Sequence, residues 1–348
     1  MTLLEILDSE RQRVIYNTSG RNPLCLSVRM KKSMSMHNGK ILWAILCLLV
    51  AIAFSSVPVL AQSTTPKRFA TSFAYTTNDP KVAYGVPLVQ VQLDGNVSAT
   101  FVIDTGASSC FISDALAQKL ALKPTKFEPM GHPYLLNGKA VQSVRVSYLS
   151  ISDLHINDQT LLILDNKTLS FMAQYPVDGI IGMDLLKGFA LLFDFPHHHI
   201  VAWYPGGFTS DEIAGTAFKG VTATPLNFVS GTGLFYTKAE LKNGALTSTV
   251  ALGLDTGAGL SSISLKAARQ LSLISVQKYS SASVGGAVEI NKAYVSAFHV
   301  GTSLSKDQQV TYPSQEAAKF PESLGMDFFN SRFVLMDFPQ EKMYIMAP

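Results

Sequence analysis

Residues 104–122 read DTGASSCFISDALAQKLAL and residues 255–273 read DTGAGLSSISLKAARQLSL; without a gap, nine of nineteen positions are identical. A second pair follows in the same order: GMDLLKGFALLFDFP at 182–196 and GMDFFNSRFVLMDFP at 325–339, with seven of fifteen positions shared. Asp104 lies 78 residues before Gly182, and Asp255 lies 70 before Gly325. Two motifs repeated in order at similar spacing mean one structural unit used twice. The halves run over 76–204 and 221–348, joined by the Gly/Pro-bearing stretch 205–220.

Each half reads alike. Leu88–Leu93 alternates apolar and polar residues as a strand does, Asp94-Gly95-Asn96 turns the chain, and Ser98–Ile103 returns. In the second half Phe235–Leu241 leads to Asn243-Gly244, and Thr247–Leu254 returns. Both returning strands run straight into Asp-Thr-Gly-Ala. A short helical pattern follows each, Asp114–Leu120 and Leu265–Leu271, and then strand-like runs such as Val141–Ile151, Ile200–Tyr204, Val288–Val300 and Phe333–Met336. Long helical periodicity is absent, so the expected class is mainly β with one short helix near each motif.

An aspartate ending an apolar strand is costly to bury alone, whereas a sharp glycine turn sets it at the rim of a cleft. Two such loops face to face hold two carboxyls close enough to share one proton. The ionised member can then deprotonate a water while the protonated member polarises a carbonyl, which is acid/base hydrolysis without a covalent intermediate. One Asp-Thr-Gly is weak, because Asp and Gly are common turn residues. Two copies, each behind an apolar strand and inside a longer repeat, are a strong signal.

Val102–Ala107 and Gly253–Ala258 resemble the active-site motifs of aspartic proteases. The alanines Ala107 and Ala258, and Gly179–Leu186 downstream, resemble the retropepsin-like branch more than pepsin, which usually has Ser or Thr after the glycine. The resemblance implies a bilobal acid protease fold with two β-barrel-like lobes and a cleft between them. It implies that Asp104 and Asp255 form the catalytic pair, that Thr105 and Thr256 lock the two loops together, and that Gly106 and Gly257 shape them. It implies a polypeptide substrate and no metal or organic cofactor. The single chain would act as a monomer holding an internal pseudo-dimer. The rival reading is a catalytically silent peptide-binding or scaffolding protein of the same fold. Flap hairpins are expected at Gly131–Val144, with Tyr134 a candidate aromatic, and at Ser283–Ile290. Gly259-Leu260 in place of Ser108-Ser109 implies lobes that contribute unequally to specificity.

Other residues read as structure. Asp184 and Asp327, in Gly-Met-Asp, fit helix N-caps, and Asp194 and Asp337, in Asp-Phe-Pro, fit strand ends. His197-His198-His199 reads as a solvated loop, since three successive side chains do not converge on a metal. Ser108 and Ser109 lack the Gly-x-Ser-x-Gly turn of a serine hydrolase. Cys110 lies in an apolar run and reads as a small buried hydrophobe.

Composition agrees with a protein that builds a real core: 348 residues, 47% hydrophobic and 15% charged. The net charge of +3 belongs to the N-terminus. Seven of the 28 basic and three of the 25 acidic residues lie in 1–61, leaving 21 against 22 and no basic footprint for nucleic acid. Arg29, Lys31, Lys32 and Lys40 precede the apolar run Ile41–Phe54, then Ser55, Ser56, Pro58 and Val59-Leu60-Ala61. That is the pattern of a secretory signal cut after Ala61, so the protein is expected to be exported, periplasmic or extracellular, and to meet a membrane only if the segment stays uncleaved. Counted from Met34 or Met36 the signal has an ordinary length of 28 or 26 residues, so 1–33 reads as a start-site artefact. With Cys25 and Cys47 in that segment, Cys110 remains alone and no internal disulfide can form. Residues 62–75 read as a linker.

Overall fold

PLVQVQL, residues 87–93, buries its leucines and valines while Gln90 faces out, and its neighbour Val97–Ile103 pairs with it from Leu88↔Val102 to Leu93↔Val97. The outward glutamines bond across the pair, Gln90 to Thr100 at 3.0 Å and Gln92 to Ser98 at 2.6 Å. The computed structural model describes residues 67–76, 84–128, 135–136, 139–173, 175–209, 213, 218–283, 286–315 and 321–346. The stretch 1–61 read as an export signal, the cut expected after Ala61, and Tyr134 lie outside the described residues. Among those described, no helix is long and apolar enough to cross a membrane.

Each half forms its own antiparallel-rich sheet. In the first, the strand ending at Ile103 lies parallel to Gly179–Ile181, which also pairs with Phe111–Ser113. That sheet continues through Leu154–Leu164 and Gln142–Ile151. In the second, Leu246–Leu254 lies antiparallel to Leu234–Asn243 and parallel to Ser323–Leu324, and the long hairpin Gly286–Val300 with Ser303–Pro313 completes it. The two helices after the repeated motifs are Asp114–Lys119 and Leu265–Gln270. Ser113 and Ser264 cap them by accepting from the Leu116 and Ala267 amides at 3.1 and 3.3 Å.

The halves are joined by a third, six-stranded sheet. Its order is Lys67–Ser72, His199–Tyr204, Ala190–Asp194, Phe333–Asp337, Lys342–Met346 and Thr224–Pro225. At its centre Ala190 pairs with Asp337, Leu192 with Leu335 and Asp194 with Phe333. Those partners are repeat equivalents taken in opposite directions, so a pseudo-twofold axis passes through the Leu192–Leu335 pair. The stretch read as a linker, 62–75, therefore contains an edge strand, Lys67–Ser72, in register with Tyr204–His199. Next to it, buried Phe73 packs against Tyr75, Phe195 and His198, and the Tyr75 hydroxyl donates to the Phe195 carbonyl at 3.1 Å.

The joining segment is held at Gly207 and Phe208. Asp337, at a strand end as expected, accepts from the Gly207 and Phe208 amides at 2.8 and 2.6 Å. Asp194, likewise ending its strand, accepts from the His197 amide and faces its ring. The three histidines diverge: His197 to Asp194, His198 onto Phe73, and His199 to the Ser72 hydroxyl. The helix Asn166–Ala173 was not foreseen; Asp165 starts it by accepting from the Thr168 amide and hydroxyl. Of the flap candidates, Leu135–Leu136 pairs with Lys139–Ala140 around 137–138, and Gln277–Ser283 pairs with Gly286–Lys292.

The core is continuous across both halves and the central sheet, with Phe101, Phe193, Phe195, Phe298, Phe328, Phe329 and Phe338 fully enclosed. Each such side chain contributes roughly 1.5–3 kcal/mol by leaving water.

Candidate active site

The two Asp-Thr-Gly loops meet where the parallel strand pairs end. Asp104 donates its amide to the Ile181 carbonyl and Asp255 donates its own to the Leu324 carbonyl, each at 3.0 Å. Each loop then curls back alike. Ala107 and Ala258 donate to the Asp104 and Asp255 carbonyls at 3.4 and 3.3 Å, and accept from Met183 and Met326 at 2.7 and 2.8 Å. One sequence therefore folds to one geometry twice.

The threonines link the loops across the axis. The Thr105 amide donates to Thr256 Oγ1 and the Thr256 amide to Thr105 Oγ1, both at 3.1 Å, and Thr256 Oγ1 donates to the Ile103 carbonyl at 2.7 Å. Both threonines are buried, so these bonds are made away from water. The glycines allow the close approach. A Cβ on Gly106 would lie 2.4 Å from Asp255 Cγ, and one on Gly257 would lie 2.4 Å from Asp104 Cγ.

The outcome is a pair of partly buried carboxyls, each set against the glycine of the opposite loop and close enough to couple their titrations. Asp104 Oδ1 also accepts from the Gly106 amide at 2.7 Å. Burial raises the Asp104 carboxyl above its ordinary value, while backbone donors and the bond from Asp255 pull against that rise. Asp255 is raised further, by burial and then by the Asp104 charge, and by placing its proton in the bond to Asp104. Such a pair can hold one proton at a pH where two isolated carboxylates would hold none.

All six residues singled out from the repeat, Asp104, Thr105, Gly106, Asp255, Thr256 and Gly257, come together here. Around them the lobes differ. Ser108 lies beneath Gly233, where an added Cβ would come within 3.3 Å of Ser108 Cβ, and Gly259 lies beneath the Tyr84 carbonyl, 2.8 Å from any Cβ it could carry.

The Gly-Met-Asp aspartates correct the N-cap reading. Gly182 and Gly325 occupy the cap positions of the one-turn helices Met183–Leu186 and Met326–Phe329, while Asp184 and Asp327 sit inside the first turn. Asp184 Oδ1 accepts from the Leu185 amide of its own turn at 2.9 Å, and both side chains also reach the neighbouring Asp-Thr-Gly loop. Asp184 Oδ1 accepts from the Cys110 thiol at 2.9 Å, and Asp327 Oδ1 accepts from the hydroxyl of Ser261, the repeat equivalent of Cys110, at 2.7 Å. The physical reason is that the extended glycine before each turn takes the cap position, which leaves the aspartate two residues further in, within reach of a donor on the packed loop. Cys110 is thus buried, as expected, and also hydrogen-bonded. Recurrence of Asp in both copies was the available signal; its partner was not readable.

Residues 89–185 match the family model described as aspartyl protease. No curated protein matches the sequence. Among solved structures the chain is similar to the aspartic proteinase from Irpex lacteus, at 12% identity over 81% of this chain and 97% of that one, with a TM-score of 0.47. The matched segment carries the Asp104 loop and its Gly-Met-Asp partner, and the second half repeats both motifs, which supports a place in the pepsin/retropepsin-like aspartic protease family.

Proposed function

We propose that the protein is an aspartic endopeptidase that hydrolyses peptide bonds by water attack between Asp104 and Asp255. The observation that carries this reading is the crossing of two equivalent loops, in which the glycine of each abuts the carboxyl of the other and both carboxyls are raised. A cleft serving only to bind peptide gains nothing from forcing two carboxyls together against their repulsion.

In the proposed reaction Asp104 enters ionised, supported by the Gly106 amide, and Asp255 enters protonated. Asp104 removes a proton from the attacking water as its oxygen bonds to the peptide carbon. The Asp255 proton passes to the carbonyl oxygen, giving a neutral tetrahedral diol. On collapse, Asp255 recovers a proton from one diol hydroxyl and Asp104 gives its proton to the departing nitrogen. The C–N bond breaks and the starting protonation pattern returns, so each carboxyl serves once as acid and once as base. The reading extends to export through the segment 1–61, release after Ala61, and action as a single chain holding both halves of the site.

The test is cleavage of an unfolded protein mixture by residues 62–348 from acidic to neutral pH, beside Asp104→Asn and Asp255→Asn. Each variant should lose about 10²–10⁴-fold in rate while remaining folded. Undiminished cleavage by either variant would reject the shared pair, and a parent without cleavage at any pH would favour a peptide-binding protein.

A further inference from the structure

The two loops that carry the carboxyls are held with unequal strength. In the first half the brace is a thiol: Cys110 donates to Asp184 and accepts from the Gly182 amide at 3.3 Å, and Asp184 is solvent-exposed. In the second half Asp327 is 7% exposed and takes three donors from two other elements. Its Oδ1 accepts from the Ser261 amide and hydroxyl at 2.8 and 2.7 Å, and its Oδ2 accepts from Gln308 Nε2 at 2.9 Å. Ser261 Oγ in turn accepts from the Gly325 amide at 2.9 Å, and the Asp327 amide donates to the Gly259 carbonyl at 3.2 Å. Gln308 Nε2 also donates to the Gln309 carbonyl at 3.2 Å, as its repeat equivalent Gln159 does to the Thr160 carbonyl at 3.1 Å.

We infer that Asp327 is a positioning residue for Asp255: its carboxylate ties the 255–261 loop, the Gly-Met-Asp turn and the strand Ser303–Pro313 into one rigid mount, which Asp184 matches only weakly for Asp104. The proposal rests on the endopeptidase reading. The chain of bonds runs through the loop from end to end: Asp255 to Leu324, Met326 to Ala258, Asp327 to Gly259, and Ser261 to Asp327. Hydrogen bonds made away from water are stronger than those open to solvent, and a thiol is a weak donor. The ionisable groups facing Asp327 are Tyr84 from the first half, Tyr279 from the hairpin and Arg332 from beyond the one-turn helix. Arg332 makes its own bonds to the Phe328 carbonyl and to Ser303 and Ser305, so Asp327 is held by neutral donors.

The experiment compares kcat and KM for Asp327→Ala, Asp327→Asn and Asp184→Ala in residues 62–348, with amide hydrogen exchange over 255–262 and at Gly325. Asp327→Ala should lower kcat by about 10- to 100-fold with KM within about threefold, since the damage is misplacement of a reacting group rather than of substrate. Asp327→Asn, which keeps an acceptor for both Ser261 donors, should recover most of that loss, and exchange at Ser261 and Gly325 should quicken only in the alanine variant. A kcat for Asp327→Ala within threefold of the parent would overturn the inference, as would an equal loss in Asp184→Ala. Should Asp327→Ala not fold, Ser261→Ala takes its place, with a smaller kcat loss expected and none overturning. If the parent itself cleaves nothing, the endopeptidase reading has failed; the exchange data still decide the mount, and unchanged protection rejects it.

Discussion

Gly106 and Gly257 have no room for a side chain, because the opposite carboxyl carbon stands 2.4 Å from where each Cβ would be. Gly106→Ala and Gly257→Ala should therefore part the carboxyls and lower activity by at least about 100-fold, checked by steady-state rates on protein whose fold is verified by circular dichroism. Titration gives a second prediction at this scale. Asp104 and Asp255 are raised by burial, and Asp327 is raised by burial to about 7. With an unfolded value near 3.9, the unfolded chain loses these protons first as pH rises, so the native state binds more protons in between. Stability is then fully present below about pH 4 and is lost as pH rises through the folded values, up to about 7 for Asp327. Thermal midpoints should fall across that window for the parent and fall less for Asp255→Asn and Asp327→Asn; a flat parent profile would contradict the assignment. The Asp-Thr-Gly residues were legible because their chemistry is local. Asp327 was not: its donors Ser261 and Gln308 are 66 and 19 residues away along the chain.

At the scale of elements, the two helices after the repeated motifs and the hairpins before them followed the sequence closely, whereas the helix Asn166–Ala173 did not announce itself. Ser113 and Ser264 precede their helices as caps should, and the period-2 run at 87–93 is a strand with polar residues turned outward. The cross-loop threonine pair depends on two elements at once. Thr256→Val leaves the Thr105 amide and the Ile103 carbonyl without that partner in a buried site, and each group left unpaired costs about 1–3 kcal/mol. Thr105→Val removes the acceptor of one amide, so it should cost less. Urea unfolding midpoints of the two variants decide the order. The sequence misplaced Asp184 and Asp327 at this scale, since the glycine two residues before each takes the cap position and the aspartate falls inside the turn, where it also reaches the neighbouring loop.

For the whole molecule, the six-stranded sheet fastens the halves, and Lys67–Ser72 covers one edge of it along His199–Tyr204. A protein beginning at residue 74 should show a lower thermal midpoint and a greater tendency to aggregate than one beginning at 62, because an uncovered strand edge pairs with other chains. Scanning calorimetry with light scattering reads both, and equal behaviour would make the strand dispensable. The sequence by itself determined that one unit occurs twice, that each copy ends an apolar strand at an aspartate, and that the class is mainly β, because periodicity and turn chemistry act between near neighbours. Only the tertiary structure decided that the linker stretch is a strand, that the central register is symmetric about Leu192 and Leu335, and that the two aspartate loops are braced unequally. Those outcomes depend on which distant backbone edges and donors packing brings within about 3 Å, and nothing in the order of residues along the chain states that distance.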